Sequence, residues 1–385
     1  CYSSGTVSTH GADCNLGYSF GKPVITKLAN GTWVAIVTSG YNNVNGATGD
    51  GEGFLYVLNA MTGKIISKTS TGNGDATTPS GLAQVNNFVD NAFLDNTTKY
   101  VYGGDNNGNV WRFVINEVAD DLLTVADESI AAHAVLLGVA KDSANRVQPI
   151  TTRPELGEIA GKPWVFVGTG RLLGTPDLTD VYTQSVYGFK DDVTVGQSST
   201  ATLYSDLRGA LRPLLISPAT AANANPAVGA SRTVSCTGST TECARPSGWV
   251  VDLPDSGERV NIDLNLELGT LFFASNVPRN TACNIGGYSW LNYLNYRTGL
   301  AVQARTCDSN GANCVTNTNV STYLGESLAV GMSTMRLPPD ASNPGGQGKT
   351  VVVVMGSSGT PTSLTPPVEV PPPVGKRVSW REVVQ

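Results

Sequence analysis

Histidine is almost missing from this sequence: His10 and His133 are the only two in 385 residues. So few imidazoles leave little for a hydrolase built on a Ser–His pair or for a zinc site of Cys and His, and the Ser-rich "GSSG" at Gly356–Gly359 bears only a loose likeness to a nucleophile turn. Charge is scarce as well. Only 15% of residues are charged, the net charge is -6, and Lys and Arg nowhere cluster along a line that would follow a phosphate backbone, which excludes nucleic acid as a partner. Long apolar runs are lacking: "TVVVVMG" at Thr350–Gly356 is far short of the roughly 20 residues a membrane-spanning helix needs. Helical patterns are few, the best helix candidate being "DESIAAHAVLLGVA" at Asp127–Ala140. What is present is 40% hydrophobic content, enough for one or two sizeable cores.

Seven cysteines are spread over the chain: Cys1, Cys14, Cys236, Cys243, Cys283, Cys307 and Cys314. "CTGSTTEC" and "CDSNGANC" repeat one spacing inside polar loops, so each reads as a small loop closed by a local disulfide, Cys236–Cys243 and Cys307–Cys314. Disulfides place the chain in an oxidising compartment. Because seven is odd, at least one thiol is free, pairs outside the chain, or has lost an upstream partner. The chain opens on Cys1 without Met or signal peptide and reads as a mature product or a fragment, with lipidation of an amino-terminal Cys as the rival explanation.

Internal repetition points to architecture. A short apolar run ending in small residues recurs as "WVAIVTSG" (Trp33–Gly40), "KYVYGGD" (Lys99–Asp105), "PWVFVGTG" (Pro163–Gly170), "TLFFASN" (Thr270–Asn276) and "VVVVMGSSG" (Val351–Gly359). Most are followed by an aromatic-rich run that enters a polar turn, as in "GFLYVLNAMTGK", "GNVWRFVI", "SVYGFKDD" and "YSWLNYLNYRTG". Strand, Gly-rich turn, aromatic strand and polar turn, repeated every few tens of residues, is the pattern of propeller blades in a nearly all-β chain. Within it, Asp105–Asn109 (DNNGN) poses a choice between a hairpin turn and a calcium loop. Asp105, Asn107 and Asn109 fall on the ligand alternation of such a loop, yet the Gly stands at 108 instead of 110 and Asn116 occupies the place of the closing Glu. Asn107-Gly108 suits the positive φ of a tight hairpin, so a turn is expected.

Taken in order, "GYSFGKPVITKL", "TSGYNN", "GFLYVLNAMTGK", "ATTPSGLA", "VYGGDNNGNVWRF", "PITTRPELG", "VFVGTGRLLGTPDL", "SVYGFKDD", "SNVP", "GGYSWLNYLNYRTG" and "RVSWRE" run almost from end to end of the chain. Together they resemble the carboxy-terminal domain of the PilC/PilY family of type IV pilus biogenesis factors and tip-associated adhesins. The resemblance implies a modified β-propeller of about seven irregular blades with long insertions, a single domain over 1–385 with a Pro-rich segment at 361–375 before a strand-like end. It also implies export by a Gram-negative bacterium to the periplasm, cell surface and pilus tip, contact with minor pilins, support of pilus assembly and of the balance of extension and retraction, and surface adhesion through a larger amino-terminal region. Many relatives carry a calcium loop, D-x-D-x-D-G-x-x-D, just before the equivalent of "VYGGD". Its ligand positions become Asn91, Phe93, Asp95, Thr97 and Lys99 here. Phe93 lacks a side-chain oxygen and Lys99 repels a cation, so weak or absent calcium binding is expected, with Asp90, Asn91 and Asp95 as the candidate ligands and a polar loop of turn-capping side chains as the alternative.

Two other functions share the fold. "LYVLNAMTGKII" resembles the docking repeat of periplasmic quinoprotein dehydrogenases, but the Asp and Trp of that repeat are not in place and no adjacent cysteine pair occurs, so no enzyme is expected. An outer-membrane assembly scaffold would not predict disulfide-closed loops. Trp111, Trp164, Trp249 and Trp290 lie in strand-like runs and read as fillers between blades, ahead of sugar binding. Arg153 and Arg171 read as buried, paired arginines that fix loops between blades, ahead of anion binding. "VSWREVV" near the end alternates well enough to dock on a sheet edge.

Overall fold

The structure, a computed structural model, describes residues 15–44, 49–89, 95–115, 133–195, 202–217, 226–281, 284–303, 305–306, 315–338 and 348–369. These residues divide into two compact units, one built from the chain up to Val165 with Asp191–Leu207, the other from Phe166–Lys190 and the chain from Arg208 onward.

The first unit holds two antiparallel four-stranded sheets. β1 (Val24–Lys27), β2 (Trp33–Thr38), β3 (Phe54–Asn59) and β4 (Ile65–Ser70) pair in chain order, and β5 (Gln84–Val89), β6 (Thr98–Gly104), β7 (Asn109–Val114) and β8 (His133–Val139) do the same. Strand alternation sends Val34 and Ile36 of β2, Leu55 and Val57 of β3, and Val85, Val101 and Phe113 of the second sheet into one core, where each is 2% exposed or less. Burying side chains of this size contributes about 1.5–3 kcal/mol each, so the two sheets are held chiefly by this shared face. Asp127–Ala140 corrects the helix expectation: His133–Val139 is β8, paired antiparallel with β7 across a register shift between Val110 and Trp111, and 127–132 lie outside the described residues. A run apolar on nearly every position satisfies a strand between buried layers as well as a helix, and the neighbouring β7 supplies the hydrogen bonds. β9 (Glu155–Ile159) completes this unit.

The chain passes from one unit to the other within β10 (Lys162–Gly168). The second unit adds β11 (Ser185–Lys190), β12 (Arg212–Ile216), β13 (Ser231–Cys236), β14 (Gly248–Asp252), β15 (Asn265–Glu267), β16 (Thr270–Thr281) and β17 (Asn284–Asn295). It continues with β18 (Arg305–Thr306), β19 (Val315–Thr316), β20 (Asn319–Gly325), β21 (Ala329–Leu337), β22 (Lys349–Gly356) and β23 (Pro361–Leu364). Its main sheet runs β15-β16-β17-β20-β13-β12-β14-β11-β10, with β12 and β14 parallel. β21, β22 and β23 form a separate antiparallel sheet, and Val352 and Val354 of β22 pack on Phe272, Leu291 and Tyr293 of the main sheet. Two short helices, α1 (Leu207–Ala210) and α2 (Thr240–Cys243), are the α-helical turns among the described residues. The all-β expectation holds, and each quoted repeat lies on a strand.

One turn recurs in both units. In "NAMTG" the Asn59 side chain accepts from Met61 N (2.9 Å) and Thr62 N (3.0 Å), and Gly63 N donates to Asn59 O. In "NYRTG" Asn295 accepts from Arg297 N (3.0 Å) and Thr298 N (3.2 Å), and Gly299 N donates to Asn295 O. Gly63 and Gly299 take φ of 70° and 69°, values that carry a steric cost for other residues. The Asn side chain supplies the acceptor that backbone geometry leaves missing.

Candidate functional site

The turn between β6 and β7 is organised around one carboxylate. Asp105 is fully buried, and Oδ1 accepts from Asn107 N (2.9 Å) and Asn109 N (3.0 Å). Oδ2 accepts from Trp111 Nε1 (2.9 Å), Asn109 Nδ2 (2.9 Å) and Ser80 Oγ (3.1 Å). Gly108 closes the turn at φ 74°. Burial pushes the Asp105 carboxyl up, and the Trp111, Asn109 and Ser80 donors work against that shift. Asp105–Asn109 is therefore a hairpin turn whose carboxylate is already surrounded by N–H and O–H donors. In the same unit Arg112 and Asp191, both fully buried, pair at 2.6 Å, Tyr102 donates to the second Asp191 oxygen (2.7 Å), and Arg112 also reaches the Val195 carbonyl.

Of the calcium candidates, Asp90 and Asn91 lie outside the described residues. Asp95 is half-exposed, accepts from Thr97 N (2.6 Å) and from the Thr97 hydroxyl, and pairs with Lys27 at 3.2 Å. The Thr97 hydroxyl bond, aided by Lys27, holds its carboxyl below the usual range. A cation at Asp95 has to displace the Lys27 ammonium. Isothermal calorimetry with calcium is expected to show no submicromolar site, and such a site abolished by Asp95→Ala would contradict this.

The second unit carries an extended buried polar assembly. Arg232 on β13 is 2% exposed, and its Nη1 donates to Glu258 Oε1 (2.9 Å) and Oε2 (3.2 Å) while Nη2 donates to Asp255 Oδ2 (2.5 Å). Its guanidinium lies 3.6 Å from the centre of the Trp290 ring on β17. Ser275 donates to Glu258 (2.5 Å), Asn292 to Ser275 (2.9 Å) and Ser321 to Asn292 (2.5 Å), so strands β16, β17 and β20 each contribute one link. Tyr288 donates to Asp255 (2.9 Å), and Arg279 covers the Tyr288 ring at 4.7 Å while pairing with Glu326 at 3.4 Å. Burial raises the Glu258 carboxyl above its ordinary value despite the Arg232 attraction, and burial beside Glu326 pushes Tyr323 up to about 12. A second buried arginine, Arg259, donates to Gly257 O (2.9 Å), Arg171 O (2.8 Å), Asp177 O (2.6 Å) and Asp180 O (2.6 Å), tying down the "GTGRLLGTPDLTD" loop. Carboxylates already engaged by guanidinium and hydroxyl groups hold loops in place.

Sequence reading reached some of these residues. Trp111, Trp164, Trp249 and Trp290 are buried, and Trp249 Nε1 donates to Tyr296 O (3.0 Å), as packing residues do. Arg171 is corrected: it pairs with Asp177 (2.7 Å) but its side chain is 43% exposed, and Arg153 is only half-buried. The buried roles belong to Arg112, Arg232 and Arg259. Cys236 and Cys243 are joined by a disulfide with Cα atoms 6.0 Å apart, closing α2, which Ser239 and Glu242 cap reciprocally. Cys1, Cys14, Cys283, Cys307 and Cys314 lie outside the described residues. Replacing Cys236 and Cys243 by Ser is expected to cost about 2–3 kcal/mol in urea unfolding with the fold retained, because so short a loop removes little unfolded-state freedom. Non-reducing peptide mapping checks Cys307–Cys314: linkage of either to Cys236 would sink the local pairing.

The two blade-like sheets, the Asx-closed turns and the aromatic strands agree with a family model, the PilY1 beta-propeller domain, which matches residues 5–227, more than half of the chain. The chain belongs to the PilY1 beta-propeller family. A type IV pilus biogenesis factor PilY1 homolog of Xylella fastidiosa strain Temecula1 is 30% identical over 302 residues, 74% of this chain and 19% of that protein. The type IV pilus biogenesis factor PilY1 of Pseudomonas aeruginosa strain PAK is 30% identical over 203 residues, 49% of this chain and 17% of that protein. The chain thus spans less than a fifth of the length of these curated relatives. The crystal structure of the Pseudomonas aeruginosa PilY1 C-terminal domain superposes with a TM-score of 0.66 at 23% identity, covering 92% of this chain and 74% of that one. At that identity the superposition speaks for the PilY1 fold.

Proposed function

We propose that this PilY1-family chain serves a type IV pilus as an exported, non-enzymatic propeller that supports pilus assembly, the balance of extension and retraction, and surface adhesion through contacts with minor pilins. The observation that carries this reading is the family match over 5–227, joined to relatives named as type IV pilus biogenesis factors. The physical character of the chain suits the role. Polar assemblies whose carboxylates are bound by arginines make a stiff scaffold, and a disulfide-closed loop suits an oxidising compartment outside the cytoplasm. No helix among the described residues is long and apolar enough to cross a membrane.

The test is genetic and biochemical together. Deleting the region that encodes this chain should lower the number of surface pili, and the protein should co-purify with minor pilins from sheared pili. Recovery only from the soluble periplasm, with pilus number unchanged on deletion, overturns the proposal.

A further inference from the structure

Three aromatic rings of the second unit lie in a row between two guanidinium groups. Tyr288 and Trp290 stand two positions apart on β17, so strand alternation turns both rings to one face, and β20 sets Tyr323 opposite Trp290. The Trp290 and Tyr323 ring centres are 5.1 Å apart, edge to face, and those of Tyr323 and Tyr288 are 5.7 Å apart. Arg232 covers the Trp290 end at 3.6 Å and Arg279 the Tyr288 end at 4.7 Å. The polar handles of the rings differ. Trp290 is 1% exposed, and its Nε1–H has no acceptor among the described residues. The Tyr323 hydroxyl donates to Glu326 Oε1 (3.1 Å), and the Tyr288 hydroxyl donates to Asp255 Oδ2 (2.9 Å), which also accepts from Arg232 Nη2. Packing accounts for rings that touch. It does not require that each phenol meet a carboxylate while the indole between them and Arg232 goes without a base.

We propose that this row is a one-electron relay, in which an oxidising equivalent placed on Trp290 passes to Tyr323 and rests there. The oxidant is a small oxygen-centred radical such as the carbonate radical. Trp290 gives it one electron, the oxidant leaves as its anion, and the indole becomes a radical cation. That cation lies against the like charge of Arg232 and has no base to take its proton, so the hole is costly at this position. Tyr323 then gives one electron to the indole, and its phenolic proton passes to the Glu326 carboxylate. A neutral indole, a neutral phenoxyl radical and a protonated Glu326 remain, and the positive charge added to the buried ring is gone. Tyr288 is the poorer resting place, because its base Asp255 is shared with Arg232 and Arg279 lies on its ring. All of these groups belong to one compact unit, and the inference does not depend on any role at a pilus.

Pulse radiolysis of the 385-residue chain with carbonate radical tests it, following the indole radical absorbance as it gives way to phenoxyl absorbance. The native chain should show a transfer phase whose rate is independent of protein concentration and falls in deuterated water. Tyr323→Phe keeps the ring and loses the transferable proton, so it should remove that phase, as should Trp290→Phe. Trp33→Phe, in the first unit, should leave it unchanged. Glu326→Gln keeps an oxygen that accepts from the Tyr323 hydroxyl but takes no proton, and should slow the phase several-fold, a change that altered packing would not produce. This last variant keeps all three rings, so the test stands even if a ring substitution unfolds the chain. Retention of the phase in Tyr323→Phe overturns the proposal, and so does its loss in Tyr288→Phe alone, which would make Tyr288 the resting place. A rate that grows with protein concentration overturns it in favour of transfer between molecules. Equal rates for the native chain and Glu326→Gln overturn it by showing that Glu326 takes no proton.

Discussion

Asp105→Ala is expected to destabilise the first unit by about 3–4 kcal/mol and Asp105→Asn by about 2 kcal/mol, read from urea unfolding followed by tryptophan fluorescence. Alanine orphans the Trp111 indole N–H and the backbone N–H groups of Asn107 and Asn109, all turned towards a buried point, and leaves the Asn109 side-chain amide with Asn73 as its acceptor. Asparagine keeps one oxygen for the two backbone donors but turns an NH2 towards Trp111 and Asn109, where donor meets donor. Ser80 can rotate its hydroxyl to accept, which lowers the cost. The pH dependence separates charge from hydrogen bonding. Burial raises the Asp105 carboxyl above its ordinary 3.8, so the protonated form gains stability that is fully present below 3.8 and is lost as pH rises through the folded value. The Asn variant has no such titration, and its deficit relative to the native chain should shrink as pH rises across that window. A deficit that stays constant with pH would contradict the raised carboxyl, and a rise in the unfolding midpoint on adding calcium to the native chain that Asp105→Asn removes would contradict the hairpin reading.

Legibility from sequence followed the length scale of the interaction. "DNNGN", "NAMTG" and "NYRTG" announce their turns because the acceptor side chain, the donors and the positive-φ glycine lie within five residues of one another. Apolar runs announced strands for the same reason: period and flanking glycines are local. The Asp127–Ala140 stretch misled because a run apolar on every side fits helix and buried strand alike, and only the partner strand β7 decides. The stabilising ion pairs were beyond reach. Arg112 meets Asp191 across 79 residues of sequence and Arg232 meets Glu258 across 26, and no local pattern marks Arg112 in "VWRFV" as buried while Arg171 in "GTGRLL" stays exposed. Arginine in an alternating strand is ordinarily placed outward. Here the strand has no outward side, because both faces of β7 are covered.

Arg232→Met should produce the largest single loss in the second unit, about 3–5 kcal/mol, because it leaves Glu258 and Asp255 facing one another without a counter-charge. Methionine fills much of the volume against Trp290 but supplies no charge to the carboxylates. Adding Glu258→Leu should restore a large part of the loss, so the double variant is more stable than the sum of the single ones predicts, as neighbours within one network do. Acid should act in the same direction. Burial already holds the Glu258 carboxyl above its ordinary 4.5, with Arg232 as the main force lowering it and Asp255 raising it. Without Arg232 the folded-state value climbs further. A raised carboxyl favours the folded state below 4.5 and loses that contribution as pH rises through the folded value, so the Arg232→Met penalty should be small at about pH 4 and reach its full size at about pH 8. Urea midpoints for the native chain, Arg232→Met, Glu258→Leu and the double variant at both pH values check this. Equal penalties at the two pH values would show that Arg232 stabilises through its packing on Trp290 and not through the two carboxylates, and a double variant no better than Arg232→Met would show that Glu258 is not the group left uncompensated.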